Sequence, residues 1–532
     1  MSLRNLVYAS PLYRLALIGK TPKRLLFTPP DLWPGDARRG EAIVKGNFIL
    51  AGRDRRFDDF ATPMAAAGNG WLAELHGFSW LRHLRAVGST SARRRAGGLC
   101  EGWINANSGW HSLSWRPDVM AERLVNWFTH FDFIAGDDAP FRHRLLSCLA
   151  SQSRHLARAT GAMNGGARTL RSLKGLVFSG ICLPGHRPVG DKALNILERE
   201  TARQILPDGG HMERSPFLQM TVLGDFVDLR AALGAAHWEV PGWMQGAIDR
   251  MAPMLRGFRH GDGKLALFNG TWEGDREAID ALLAQAEVKG RPLSNAPHSG
   301  FHRLAAGRTL VIADCGSPVP CRDSPHAHAG TLSFEMSIAK KRLIVNCGSH
   351  PGEEGDLFMA LRSTAAHSTA VVADTNSSDV IPAGGIGRRA AGVSCHRREA
   401  DGDIYLEASH DGYRRTFSLI HKRCLFLTSR GEDFRGEDIL SGPGGQAFAV
   451  RFHLHPRVRA SQIKDGSAIL LRLPGGAGWR FRAAGGTLTL EESIYLGAGG
   501  EAKRSAQMVV SGLLGDGGAT VKWSLRREKD SR

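Results

Sequence analysis

Two different hydrophobic periods divide the chain into an N-terminal and a C-terminal half. Between about residues 121 and 288, apolar residues recur every three to four positions, the spacing that places side chains on one face of an α-helix. The segment "LKGLVFSGICL" is apolar nearly all round, which is typical of a helix covered on both sides. Three sets share a helical face: Leu124, Phe128 and Phe131; Leu194, Leu197 and Ile205; and Ile248, Met251 and Leu255.

Strand-like alternation begins after "KGRPLSNAPHSG", a segment rich in Pro, Gly, Ser and Asn. From Phe448 to Leu454, and again from Ile469 to Leu473, every second residue is apolar, which indicates strands with one buried face. Gly-rich turns such as "PGGAG" separate these segments. Helices and strands in separate halves need separate cores, so we predict two domains that join near residues 289–300.

The length of 532 residues also favours two domains, because one hydrophobic core rarely serves so long a chain. No apolar stretch reaches the roughly eighteen residues of a membrane span, so we predict no transmembrane segment. The apolar residues near the N-terminus are interrupted by Arg14, Lys20, Lys23 and Arg24, which is not the pattern of a signal peptide.

A net charge of +17 indicates a surface that attracts polyanions, without choosing among them. The run Arg93, Arg94 and Arg95 in "TSARRRAGG" is flanked by small residues and predicts a solvated loop. No signature of a nucleic-acid-binding module is present, so we expect no nucleic-acid partner. Eight cysteines without C-x-x-C spacing predict buried thiols instead of a disulfide framework.

A first candidate constellation lies in "QILPDGGHMERSPF", between two predicted helices. Ser215 and Pro216 form a helix-start signal, so the preceding residues form a loop at a helix end. This loop carries Asp208, His211, Glu213 and Arg214, which could position an acidic sugar and exchange a proton. An Asp-Gly-Gly turn followed by a capped helix explains the same letters, and the sequence leaves both interpretations open.

A second constellation lies in "DSPHAHAGTLSFEM", where His326 and His328 precede a predicted strand. Together with Asn346 and His367, they could hold a metal ion, or they could be structural. Asn346 is a poor zinc ligand, because it offers a neutral amide oxygen in place of a carboxylate. Tryptophans in "GWINANSGWHSLSWRPD" suggest a sugar-stacking surface that includes Trp110, Trp115 and Arg116, although helix packing explains them equally well.

These segments resemble the heparinase II/III-like polysaccharide lyases over most of the chain. The DGG-H-x-E-R-S-P segment resembles the family's active-site loop, and H-A-H-A-G-T-L-S-F-E resembles its metal-bearing strand; "ASHDGY" and "HKRCLFL" are similar to its sandwich. The resemblance implies an N-terminal (α/α) toroid over residues 1–288 and a C-terminal antiparallel β-sandwich over residues 296–532. It also implies a location in the cell envelope or periplasm, while the N-terminus leaves the cytoplasm open.

The resemblance assigns roles to individual residues. His211 would neutralise the uronate carboxylate, with Glu213 beside it, and His326 would be the catalytic histidine. The places of the metal ligands fall to His328, Asn346 and His367.

Two departures from the family pattern change these expectations. Asn346 and Gly330 stand where the family has aspartates, so we expect no required cofactor and weak or absent structural zinc. The family's acid-base tyrosine, expected downstream of the DGG loop, is also missing. The segment "FRHGDGKLALFNGTW" offers His260, Asp262 and Phe268 there instead, and we include His260, Asp262 and Asp208 among the predicted substrate-binding residues.

The leading hypothesis is a lyase that cleaves a uronate-containing acidic polysaccharide by β-elimination. In it, His211 and Arg214 acidify the C5 proton and His326 removes it, with a rate that rises between about pH 6 and 7. The first alternative is a non-catalytic polysaccharide-binding or envelope-assembly protein on the same scaffold. The second is an inverting glycoside hydrolase that uses carboxylates such as Asp208 with Glu213 or Asp262.

Overall fold

The computed structural model describes residues 3–61, 67–161, 165–319, 324, 326–349, 355–382, 384–463, 465–498 and 502–528. Its N-terminal half is an (α/α) toroid. The helices are α1 (Leu3–Ala9), α2 (Pro11–Ala16), α3 (Ala37–Val44), α4 (Asn69–Gly77), α5 (Leu81–Val87), α6 (Thr90–Ala106), α7 (Pro117–Thr129), α8 (Phe131–Ala135), α9 (Ala139–Thr160), α10 (Ala167–Cys182), α11 (Arg187–Gln204), α12 (Pro216–Ala235), α13 (Gly242–Gly257) and α14 (Arg276–Gln285).

Helix α10 is the inner helix of this half, as its all-round apolar sequence predicts. It packs against α7, α9, α11 and α12. Close packing depends on small residues: a Cβ on Gly175 would lie 2.7 Å from the Cβ of Ala121, and one on Gly180 would lie 2.6 Å from the Cα of Gly190. The apolar surface of α10 is therefore covered on every side.

The C-terminal half is an antiparallel β-sandwich, and the toroid carries a separate hairpin, β1 (Asn47–Leu50) with β2 (Arg53–Arg56). Two short helices, α15 (Asp356–Arg362) and α16 (Arg414–Phe417), interrupt the sandwich. The remaining strands are β3 (Asn295–Ala296), β4 (Phe301–Ala306), β5 (Thr309–Asp314), β6 (Phe334–Ile338), β7 (Lys341–Val345), β8 (Ala370–Val372), β9 (Val393–Ala400), β10 (Asp403–His410), β11 (Ile420–Leu427), β12 (Asp433–Gly442), β13 (Ala447–Leu454), β14 (Arg459–Gln462), β15 (Ile469–Arg472), β16 (Gly478–Ala484), β17 (Thr487–Tyr495), β18 (Lys503–Leu513) and β19 (Gly517–Arg527).

These strands form two facing sheets. One has the order β14-β15-β16-β19-β12-β11-β10-β9, and the other β17-β18-β13-β7-β6-β5-β4-β3, with β8 also paired to β13. Aromatic rings fill the space between them, with Phe334 stacked on Trp523 at 5.7 Å and Phe452 packed against the same indole. The alternation over Phe448–Leu454 is confirmed, since β13 buries every second side chain of that run.

The prediction of a loop at Arg93–Arg95 is wrong, because these residues lie in α6. Ser89 caps that helix by accepting a hydrogen bond from the Ala92 N–H at 3.1 Å. The following glycines suggested a loop, yet Gly97 lies inside the helix, where an added Cβ would lie 3.0 Å from the Ile134 carbonyl oxygen. Close packing against α8 therefore explains a glycine that local propensity disfavours.

Two further expectations concern membranes and cysteines. Among the described residues, no helix has the length and apolar composition needed to cross a bilayer. The cysteines within the described ranges are free thiols, as predicted; five of these seven are buried, Cys148 and Cys395 are half-buried, and Cys321 lies outside those ranges.

Candidate functional site

The loop between α11 and α12 brings the first constellation to the junction of the two domains. An isolated bridge between Ile205 and His211 closes the loop, and α12 begins at Pro216 with Ser215 as its N-cap, as predicted. Gly209 has φ +82°, and a Cβ there would clash with the Arg250 carbonyl oxygen. The Asp-Gly-Gly sequence is thus required by this turn.

The His211 ring is buried and both of its nitrogens have protein partners. Nδ1 accepts a hydrogen bond from the Glu213 N–H at 3.2 Å, so Nε2 donates to Gln204 Oε1 at 3.1 Å. Burial lowers the pKa of His211, although the charge of Glu213 opposes that shift. The ring is therefore neutral near pH 7, and a uronate carboxylate could reach Nε2 only by displacing Gln204.

Arg214 connects the toroid to the sandwich. Its Nε donates to the Ser299 carbonyl at 2.7 Å, its Nη1 to the Ser317 carbonyl at 3.0 Å, and its Nη2 to the Asp314 carboxylate. The guanidinium carbon also lies 4.9 Å from the centre of the Phe301 ring. The side chain is only 6% exposed, so its charge is directed to the domain interface.

Asp208 likewise holds the chain that links the two domains. Its Oδ2 accepts hydrogen bonds from the Ser299 N–H at 2.7 Å and the His298 N–H at 2.9 Å, and its Oδ1 accepts one from Gly210 at 3.0 Å. This carboxylate acts in a turn and in the interdomain contact, which is the second of the interpretations that the sequence left open.

His326 and Glu213 define the candidate site between the domains. Glu213 accepts a hydrogen bond from the Ala167 N–H, at the first residue of α10, at 2.9 Å. His326 is half-buried, and a Cβ on Gly270 would lie 2.7 Å from its Nδ1. Burial lowers the pKa of His326 to about 4, and the charge of Glu213 opposes that shift. The site thus holds a neutral imidazole within electrostatic reach of a carboxylate.

His260 and Asp262 also contact the sandwich. The His260 ring is hydrogen-bonded to Glu335 Oε2 at 3.0 Å and Ser337 Oγ at 2.9 Å, and burial lowers its pKa. Asp262 accepts a hydrogen bond from Arg342 Nε at 2.8 Å. The ring of His260 is therefore bonded to β6, and Asp262 is bonded both to Arg342 of β7 and to the Lys264 N–H of its own loop at 2.9 Å.

Two of the three residues at the family's metal-ligand places, His328 and His367, form a hydrogen-bonded chain. His328 Nε2 accepts from the Gly270 N–H at 3.0 Å, so its Nδ1 donates to His367 Nε2 at 3.1 Å. His367 Nδ1 in turn donates to the Ser363 carbonyl at 2.7 Å. A Cβ on Gly330 would lie 2.6 Å from His367 Cδ2, so this ring leaves no space there for an aspartate side chain.

Asn346 is directed away from these imidazoles. Its Oδ1 accepts from the Ser368 N–H at 2.9 Å, and its Nδ2 donates to the Leu267 carbonyl at 3.3 Å. Each donor and acceptor that a metal would need is thus paired with a protein group, and the three residues do not fit zinc. Weak or absent zinc at this place stays a prediction.

Aromatic residues supply no acid-base group at the site. Phe268, in the segment where the tyrosine was expected, is buried. Four tyrosine hydroxyls have partners elsewhere: Tyr13 with His155, Tyr405 with Glu407, Tyr413 with Ala370 and Tyr495 with Glu273. Tyr8 packs against Tyr13 with ring centres 4.9 Å apart.

The predicted sugar-stacking surface is largely packed. Trp115 is buried and its Nε1 donates to the Asn107 carbonyl at 3.1 Å. Arg116 donates to Asp118 at 2.6 Å, beside the first turn of α7. Trp110 is half-buried and lies near Tyr8, with ring centres 6.4 Å apart, so it retains some exposed ring surface.

Comparisons with known proteins agree with this architecture. Residues 100–289 match the family described as Heparinase II/III N-terminus, and residues 288–524 match Heparinase II/III-like, C-terminal. FtsZ-localized protein C of Caulobacter vibrioides is 34% identical over 98% of this chain and 93% of its own length.

Two solved structures share the fold. A crystal structure of heparinase III has a TM-score of 0.76 at 14% identity, over 99% of this chain and 92% of its own. The heparan sulfate lyase HepC from Pedobacter heparinus has a TM-score of 0.61 at 16% identity, over 98% and 88% of the two chains.

Proposed function

Because the chain belongs to the heparinase II/III-like family, we propose that it uses the lyase scaffold in a non-catalytic role, together with FtsZ in cell division. The relative that is named for its localisation with FtsZ matches both domains, since the alignment spans 98% of this chain. The proposal therefore concerns the whole molecule.

The observation that carries the proposal is the state of the two groups expected to neutralise a uronate. Elimination requires carboxylate neutralisation, a base and an acid. His211 is neutral and bonded to Gln204, and Arg214 is bonded to three groups of the sandwich and its linker. Without a neutralised carboxylate the C5 proton is too weakly acidic for His326 to remove, and no tyrosine replaces the missing acid.

A surface at the N-terminal helices fits attachment to anionic lipid. Helices α1 and α2 dock on α9 through the Tyr13 hydroxyl, which is 2.8 Å from His155 Nδ1, and through Arg154, which donates to the Leu17 carbonyl at 2.8 Å. Five large hydrophobic residues of this segment are exposed: Leu6, Val7, Leu12, Leu15 and Ile18. We refer to these five residues as the N-terminal apolar surface.

Such a surface is unusual for a water-exposed helix and typical of one that lies at a membrane interface. Arg14 and Lys20 lie in the same segment, and the chain as a whole carries +17, so anionic headgroups would add electrostatic attraction. On this proposal the chain acts on the FtsZ side of the membrane, and not in the periplasm that the family resemblance implied. Fractionation of cells that produce a tagged protein tests the compartment.

The direct experiment is co-sedimentation of the full chain with FtsZ polymers, with and without vesicles that contain anionic lipid. We expect the chain to pellet with the polymers, and to bring vesicles into the pellet with them. The variant Leu12→Glu/Leu15→Glu should no longer bind vesicles but should still pellet with FtsZ polymers. The matched control is Leu513→Glu, because Leu513 and Leu12 are both 73% exposed; it should keep both. If the FtsZ polymers pellet and the chain remains in the supernatant, the proposal is contradicted.

A uronate lyase is the second candidate, favoured by the half-exposed neutral His326 beside Glu213. Binding of acidic polysaccharide without cleavage would use the same cleft. An inverting hydrolase has less support, since Asp208 is bonded to the linker and Asp262 to Arg342. Incubation with uronate polymers distinguishes these: an unsaturated product indicates a lyase, and new reducing ends without it indicate a hydrolase.

A further inference from the structure

A cluster of two thiols and one imidazole lies in the sandwich, next to Asp314 of the domain interface. His302 is on β4, Cys315 directly follows β5, and Cys395 is on β9. One potential ligand atom from each residue lies within 4.8 Å of those from the other two. One hydrogen-bonding contact joins Cys395 Sγ and His302 Nε2 at 3.2 Å.

The strand register explains why these three side chains converge. His302 is paired with Ala313, and Cys315 is two residues beyond Ala313, so His302 and Cys315 share one face of the β4–β5 pair. The Cys315 N–H donates to the Gly300 carbonyl at 2.7 Å and fixes this end of the pair. Cys395 approaches from β9, the edge strand of the facing sheet. The cluster therefore bridges the two sheets.

All three side chains of the cluster are at least partly buried. His302 is 5% exposed and Cys315 is 6% exposed, while Cys395 is half-buried. Within the part of the chain that the structure describes, His302 Nδ1 is buried and has no hydrogen-bond partner. A metal ion bound at Nε2 would leave this atom without a partner, so it is the convergence of the three ligand atoms that indicates a metal site.

We propose that His302, Cys315 and Cys395 form a zinc-binding site that joins the edges of the two sheets. Two thiolates and one imidazole are a preferred ligand set for Zn²⁺. Tetrahedral Zn²⁺ would separate a sulfur and a nitrogen ligand by about 3.6 Å, so the 3.2 Å contact needs only a small side-chain rotation. The thiols bind as thiolates and release their protons, and the half-buried Cys395 provides access from solvent.

The site would also stabilise the domain interface. Cys315 is adjacent to Asp314, the partner of Arg214, and Gly316 is so close to Arg214 that a Cβ there would clash with its guanidinium. On the other sheet, Arg397 lies two residues after Cys395 and donates to the Arg303 carbonyl at 3.0 Å. A metal ion bound to Cys315 and Cys395 would therefore hold in place the Asp314–Gly316 segment, which contacts Arg214.

Metal analysis of the full chain tests this site. After removal of metal with a chelator under reducing conditions, one Zn²⁺ per chain should bind and raise the melting temperature. Co²⁺ in its place should give the near-ultraviolet band of thiolate coordination. Changing a residue that only hydrogen-bonds a metal ligand typically lowers metal affinity about 10–100-fold. Removing a ligand itself should do more, so Cys395→Ser and His302→Gln should each lower the zinc affinity at least about a hundredfold.

The matched control is Cys424→Ser, since Cys424 lies on β11 of the same sheet as Cys395 but outside the cluster. It should bind Zn²⁺ like the unmodified chain. If Cys395→Ser does not fold, His302→Gln decides the question with the same readout. A Co²⁺ complex without thiolate bands, unchanged zinc affinity in both variants, or a Cys315–Cys395 disulfide with no zinc binding after reduction would each overturn the proposal.

Discussion

The Arg214 guanidinium, in the loop before α12 of the toroid, donates a hydrogen bond to the Asp314 carboxylate at the end of β5 in the sandwich. Both side chains are buried, at 6% and 3% exposure. A residue that the sequence predicted to act in catalysis, by acidifying the C5 proton, thus joins the two domains.

Replacement of Arg214 by alanine should destabilise the protein. It removes three hydrogen bonds and leaves Asp314 buried without its cation, a change that typically costs about 3–5 kcal/mol. Urea unfolding measures the loss. The control is Arg504→Ala, because the Arg504–Glu492 pair is 88% and 85% exposed, and it should leave the unfolding midpoint unchanged. An equal, small effect of the two substitutions would show that Arg214 does not join the domains.

Stability should fall as the pH drops below about 6.5. Burial lowers the pKa of His155 and His367 to about 4 and that of His453 to about 3, from an ordinary value of 6.5. The unfolded chain therefore binds more protons between those values, so this stability is complete above pH 6.5 and lost as the pH falls toward 4. Each such histidine contributes a slope of about 1.4 kcal/mol per pH unit.

Melting temperatures measured between pH 7.5 and 5 test this prediction at values where most carboxylates stay ionised. His453→Gln should reduce the slope by the contribution of one histidine. A melting temperature that does not change over this range would mean that these imidazoles can be protonated within the fold.

Zinc should not bind at the His328–His367 pair. The two imidazoles are hydrogen-bonded to each other and Asn346 is bonded to Ser368 and Leu267, so no open ligand set remains. His367→Gln should therefore leave the zinc content of the purified chain unchanged, whereas Cys395→Ser should lower it. If His367→Gln removes the zinc, the ion belongs to the place that the family resemblance implied.

Local signals predicted the elements of the fold. The apolar periodicity of α10, the alternation of β13 and the Ser215 cap of α12 are each set by residues close together in the chain. The helix at Arg93–Arg95 was missed because its glycines have a packing reason that only the three-dimensional structure supplies. The β1–β2 hairpin was missed as well; it pairs only four residues on each strand.

The candidate site was less predictable, because its partners are distant in sequence. The resemblance assigned catalytic roles to His211 of the toroid and His326 of the sandwich, with Glu213 beside His211. In the structure it is Glu213 that lies within electrostatic reach of His326. It could not indicate that Arg214 bonds to the Ser299 and Ser317 carbonyls, which lie 85 and 103 residues away. Every residue has a carbonyl group, so no sequence pattern identifies such a partner.

We propose that this lyase scaffold acts without lyase chemistry, and the most direct test of that proposal is the absorbance of the unsaturated uronate product. The full chain is incubated with a panel of uronate polymers between pH 4 and 9, with a heparinase III enzyme as the positive control. We predict no increase in absorbance for the chain at any pH. A product that forms at a rate rising through the lowered His326 pKa of about 4, and that disappears in His326→Ala, would contradict the claim.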